Sequence, residues 1–186
     1  MSAAASFPGS VGARRLRDAF GRFGTGVAVV SSLDGDSRPC AVTVNSFVSL
    51  SLEPPLVAFS VAREARCLAP LRAAHDLVIS VLRHDQRHVA ANFARPSTAR
   101  WEGMPLAASA SGPSLVRGAL VVLECTPESY VTAGDHLMFL LRVGTVHLGE
   151  PSAPLLFHAS RYGSFLPDDA ALERGPENTA PALGWG

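Results

Sequence analysis

The sequence predicts a mainly β fold, a small barrel with short flanking helices, and three observations predict it. About six apolar, β-branched runs are bounded by turn residues. No long stretch of helical period lies between them, so alternating β-α-β units are disfavoured. Strands this apolar also need their edges removed, which barrel closure achieves.

Each element follows from the residues in order. Residues 1–12 are small and contain Gly, Ser and Pro, an arm that ends near residue 14. A helix is predicted through 13–23, with Leu16, Phe20 and Phe23 on one face. Residues 26–32 form a β-branched strand, 33–38 a hairpin turn and 38–44 its partner strand. Further strands fit 56–62, 76–82, 119–131 and 136–148, with short helices at 67–74 and 84–94. The domain thus spans 15–166, and 167–186 is a polar, Pro- and Gly-rich extension. No internal repeat is present.

With 186 residues the chain can bury a sizeable single core. No apolar run approaches the roughly 20 residues that a membrane-spanning helix needs. The first residues lack the apolar stretch of a secretory signal. Cys40, Cys67 and Cys125 are widely spaced and odd in number, a poor disulfide framework that suits a cytoplasmic location. The formal net charge is zero, which gives no electrostatic footprint for nucleic acid or for an acidic membrane. The Arg14–Arg17 cluster reads as a solvated helix face. The chain has no lysine, which excludes a phosphate-loop lysine and any Schiff-base mechanism. Its positive charge is all guanidinium, a planar fork suited to phosphate.

Four motifs invite a chemical reading. The glycines of 21–26 suggest a dinucleotide fingerprint, but they follow a helix and open a strand, the reverse of what phosphate cradling needs. A helix end and tight turn is the better reading. His84 and His88 have the spacing of paired metal ligands, without a neighbouring glutamate or a third ligand, so no metal is expected. In 43–51, read as extended chain, Thr43, Asn45, Ser49 and Ser51 share one face, with Val42, Val44, Val48 and Leu50 on the other. Small donors and acceptors in such a row fit either a planar hydrogen-bonding heterocycle or a solvent-facing edge. Gly134-Asp135-His136 reads as a hairpin turn between two strands.

Taken together, AFGRFGTGVAVV (19–30), TVNSFVSLSLEPPLV (43–57), NFAR (92–95), AGDH (133–136) and LLFHASRYG (155–163) occur in register. In this the chain resembles the short-chain flavin reductases, the reductase components of two-component flavin-dependent monooxygenases. The resemblance implies an FMN-binding split barrel of Greek-key type that works as a homodimer. It implies reduction of free FAD or FMN by NADH, or by NADPH, with reduced flavin passing to a monooxygenase partner. Carried over by residue, Thr43, Val44, Asn45, Ser46, Ser49 and Leu50 line the isoalloxazine and ribityl groups. Ser60, Arg63, Arg66 and Cys67 hold the flavin tail, and Phe93 and Ala94 line the pocket. Asp135 and His136 meet the nicotinamide nucleotide, His136 as the catalytic residue, and Arg161 and Tyr162 close the site. Glu64, Ala65 and Cys67 depart from the small hydroxyl residues usual there, which leaves FMN against FAD open. Glu64 either repels the flavin phosphate, pairs with Arg63 or Arg66, or faces solvent. Two other activities fit such a barrel: an oxidase with tightly held FMN, and a non-enzymatic binder of heme, flavin or a partner.

Overall fold

β-branched runs cut by Gly, Pro and Asp set the strand boundaries. In the computed structural model, which describes residues 11–95 and 101–165, they give twelve strands. These are β1 (Thr25–Gly26), β2 (Ala28–Leu33), β3 (Pro39–Val44), β4 (Val48–Leu52), β5 (Pro55–Ala62) and β6 (Leu77–Val81). They continue as β7 (Leu106–Ala108), β8 (Ser114–Val116), β9 (Val121–Ala133), β10 (His136–Leu148), β11 (Leu155–His158) and β12 (Arg161–Ser164). Three helices accompany them: α1 (Ala13–Phe20), α2 (Leu68–Ala73) and α3 (Arg87–Phe93).

Seven strands form one antiparallel sheet in the order β3-β2-β6-β9-β10-β5-β4. The two edge strands are consecutive in sequence. Laid flat, seven strands would hold β3 and β4 roughly 29 Å apart. Val44 and Val48 are joined by only three residues, a reach of at most about 15 Å. The sheet therefore curls until its edges meet along a seam, and no ladder bridges β3 and β4. The barrel is split, where edge removal by full closure was expected. Asn45–Phe47 leave the extended path, so 43–51 is not one strand but two, on opposite edges. Val48 and Leu50, expected on a buried face, are exposed because β4 is an edge.

β9 and β10 make a long hairpin whose halves serve different neighbours. β6 pairs with β9 over Val121–Cys125, and β5 pairs with β10 over His136–Arg142. Between these stretches the register shifts at Leu140/Leu141 and Val143/Thr145. Such bulges bend the ribbon from one half of the barrel into the other.

Alternation on β2 sends Ala28 and Val30 to one face and Val27 and Val29 to the other. The first face fills the barrel with Phe59, Ile79, Phe139 and Leu141, closed by Leu71 of α2. Phe59 and Phe139 stack at 4.7 Å, with Tyr130 edge-on to Phe139. The second face packs on α3 through Val89, Ala90 and Phe93. All three cysteines are buried and none forms a disulfide. Burial, helped by the Glu124 charge, pushes the Cys125 thiol up to about 12, which makes it unreactive.

Several expectations need correction. α1 stops at Phe20, and Phe23 lies beyond it. Its start at Ala13 falls inside the expected arm, whose residues 1–10, like 167–186, lie outside the described residues. Gly21 ends the helix at a negative φ of −63°, so left-handed freedom is not the reason for glycine. A Cβ there would meet the Arg17 carbonyl at 3.0 Å. The strand at 26–32 breaks at Val27, and 84–94 is a 3-10 turn (His84–Gln86) followed by α3. His84 and His88 therefore do not share one α-helical face, and both are exposed.

Candidate functional site

Pairing decides which side chains meet. In an antiparallel ladder paired residues point to the same side, and neighbours alternate. His136 pairs with Ala62 and Met138 with Ser60. Leu137, Phe139, Phe59 and Val61 point into the barrel, so His136, Met138, Ser60 and Ala62 share the outer face. Met138 was absent from the sequence-based site. Once Leu137 is taken as inward, strand parity alone would have placed it there.

The seam delivers a second set of groups to this face. The Ser46 hydroxyl donates to the Ser60 carbonyl and accepts from the Ser60 N–H, both at 3.0 Å. This stitch fixes the three-residue link against β5 and uses the Ser46 hydroxyl fully as a donor. Asn45 beside it is exposed. Among the described residues no backbone hydrogen bond engages the N–H groups of Asn45, Ser46 or Phe47. The seam thus presents three main-chain donors and a carboxamide, an array matched to the ring carbonyls and nitrogens of a flat heterocycle.

The Gly134-Asp135 turn joins β9 to β10, with Gly134 at φ +61°, a conformation that favours glycine at this position of a two-residue hairpin. The turn is tied down by the Arg63 N–H, which donates to the Asp135 carbonyl at 2.9 Å. His136 Nδ1 lies 2.8 Å from Asp135 Oδ1. A carboxylate only accepts, so Nδ1 carries the hydrogen and Nε2 is the atom left for a ligand. The hydrogen bond and charge of His136 hold the Asp135 carboxyl below its ordinary range, with a smaller contribution from Arg17. Arg17 lies one turn before Gly21, whose carbonyl accepts from the Ala159 N–H at 2.7 Å. α1 therefore runs between the β9–β10 turn and the β11–β12 turn, which carries Arg161 and Tyr162.

The remaining expected residues are placed as follows. Thr43 donates its hydroxyl to the Ala90 carbonyl of α3 at 2.8 Å, so it can offer a ligand only a lone pair. Val44, Cys67 and Phe93 are buried, and their side chains belong to the core. Phe93 packs edge-on against Trp101 at 5.1 Å. Ala94, Ser49, Leu50, Arg63 and Arg66 are exposed. Glu64 is exposed and, among the described residues, makes no ion pair with Arg63 or Arg66. Tyr162 is half-buried against Phe157, with the Arg87 guanidinium 5.7 Å from its ring centre. Arg161 and Tyr162 line a cavity of about 530 Å³. No group of three or more His, Cys, Asp or Glu side chains suited to a metal occurs among the described residues.

Comparison with known proteins agrees with this arrangement. Residues 20–166 match the family model of the flavin reductase like domain. The actinorhodin polyketide dimerase of Streptomyces coelicolor is 34% identical over 167 residues, 90% of this chain and 94% of its own length. The reductase subunit HsaB of a flavin-dependent monooxygenase from Rhodococcus jostii is 32% identical over 155 residues, 83% of this chain and 79% of its own length. Among solved structures, the NADH:FAD oxidoreductase SgcE6 of Streptomyces globisporus, in complex with NAD and FAD fragments, superposes with a TM-score of 0.79. It is 36% identical, and the match covers 84% of this chain and 94% of that one.

Proposed function

The chain belongs to the family of flavin reductase-like domains, and on that footing we infer that the seam and the His136 face together form a site for NADH-driven flavin reduction. The observation that carries this assignment is the seam itself: unpaired main-chain donors and Asn45, stitched by Ser46 to the strand that pairs with His136. The nicotinamide nucleotide supplies the hydride and the flavin ring accepts it at N5. What the protein contributes is placement. The two rings must be held within about 3–3.5 Å in line for transfer, and neither needs a protein acid or base at the reacting carbon. The seam N–H groups and Asn45 meet the polar edge of the flavin, where they favour the negative charge of its reduced form. His136, fixed by Asp135, offers Nε2 to the nicotinamide nucleotide. Arg63 and Arg66 face the flavin tail, and Arg161 and Tyr162 close the site.

In this reading the product is a reduced flavin that leaves for a monooxygenase component, the chain acts in the cytoplasm, and it works as a homodimer. No helix among the described residues is long and apolar enough to cross a membrane. The exposed, unpaired Glu64 fits loose holding of a phosphate-bearing flavin, because like charges repel most where water is partly excluded. The test follows NADH absorbance with FMN and with FAD supplied separately. Oxidation dependent on added flavin is the expected result, and no oxidation with either flavin overturns the assignment.

A further inference from the structure

Three arginines near Tyr162 lack the partners that arginines elsewhere on this surface have. Arg38, Arg83 and Arg142 reach Asp36, Asp85 and Glu128 at 3.3, 2.9 and 3.0 Å. Arg87, Arg95 and Arg161 are exposed, and none has a carboxylate partner among the described residues. Arg87 stands 5.7 Å from the Tyr162 ring centre. The charges of Arg87 and Arg95 both act on the Tyr162 hydroxyl, opposing the upward push of its burial, so Arg95 also lies close by. Arg161, His158 and Tyr162 line the cavity of about 530 Å³, with Leu156 and Gly163 as apolar wall. That volume lies within the usual range for a small-molecule site.

Gathering unpaired guanidiniums in one place raises the energy of the empty surface, since their charges lie within a screening length of each other. An anion relieves this. A guanidinium fork matches phosphate oxygens two at a time, and guanidinium planes and tyrosine rings stack on purines. We infer that this patch is an adenylate subsite, taking the adenosine diphosphate end of a dinucleotide, with FAD and NADH as its two sources. The inference rests on the reading of Arg161 and Tyr162 as walls of the nucleotide site, and it brings Arg87 and Arg95 of the α3 region into that site. FMN and reduced nicotinamide mononucleotide lack the adenylate and gain nothing from the patch.

The test is calorimetric titration of ADP into the wild-type protein and into the Arg87→Gln/Arg95→Gln double variant, at low and high salt. ADP should bind the wild type more weakly as salt rises, and the double variant should lose at least about ten-fold in affinity. Should that variant fail to fold, Arg95→Gln alone, at an exposed position after α3, carries the same expectation. Wild type that binds no ADP, or a variant that binds it equally well, overturns the subsite. Kinetics then separate the sources. A KM that rises for FAD but not FMN names the flavin, and one that rises for NADH but not for the reduced mononucleotide names the nicotinamide cofactor. If ADP binding is lost and neither KM moves, the subsite does not serve the reaction and the inference fails. The titration needs no hydride transfer, so a chain that binds ADP yet oxidises no NADH would overturn the proposed function and leave the subsite standing.

Discussion

At His136 the geometry separates binding of one ligand from binding of the other. Its Nδ1 is committed to Asp135, and it stands on β10, across β5 from the seam. His136→Ala should therefore raise the KM for NADH while flavin affinity changes little. Steady-state kinetics with each substrate varied in turn check this, and a collapse of flavin affinity alone would show that the wrong ligand had been assigned. Glu124 concerns stability instead. This buried carboxylate accepts the Ser111 N–H and sits against His147 Nε2, each at 2.9 Å. Hydrogen bonding from Ser111, then from His147, lowers its pKa from 4.5 to about 2 against the opposing effect of burial. A depressed carboxylate stabilises the fold above its unfolded pKa, and that share is lost as pH falls from about 4.5 toward 2. Glu124→Gln should cost about 1–3 kcal/mol near neutral pH. The gap to wild type should close as the solution is acidified through that window, which urea midpoints measured at several pH values will show. Nothing in the sequence around Glu124 marks it, because its partners come from a loop and a strand that only folding brings near.

Among the elements, the β11–β12 hairpin explains both a strained turn and a missed prediction. Ala159 and Ser160 occupy its two central positions with φ of 47° and 61°. Such turns favour Gly or Asn, since a left-handed backbone costs other residues roughly 1–2 kcal/mol each. Without glycine the stretch gives no hairpin signal, so β11 and β12 were not expected from the sequence. Ser160→Gly should raise stability by about 1 kcal/mol and leave the KM for NADH unchanged, read from denaturant midpoints and steady-state rates. An unchanged or lowered midpoint would show that the Ser160 side chain compensates for its backbone. The long runs of β9 and β10 were legible because apolar alternation over a dozen residues has few other solutions. The break at Asn45–Phe47 was not, since Thr43 to Ser51 keeps its period of two straight through it. Only the opposite places of β3 and β4 in the strand order forbid a continuous strand. The site was legible in outline through its resemblance to known reductases. Phe93 and Cys67 show the limit: a motif position fixes a place in the chain, not the direction of a side chain.

For the molecule as a whole, apolar surface remains uncovered. α1 buries none of its residues, and Phe20 and Phe23 are 70% and 76% exposed. Val48, Leu50 and Leu52 stand exposed along the β4 edge. A second copy of the chain would cover such surface, and a two-fold contact does so with one patch on each partner. Phe20→Asp should shift the protein toward monomer in light scattering at micromolar concentration. A wild type already monomeric there would refute the dimer. The pairing of His136 with Ala62 also has a consequence in time. Residues 43–63 leave the ribosome long before the strand that β5 must pair with, and an unpaired edge waits until the second half of the chain arrives. Long-range closure of this kind is slow, and it is the step that brings the seam and His136 to one face. In refolding from urea, flavin-dependent NADH oxidation should return with the slowest phase, after most secondary structure has already re-formed.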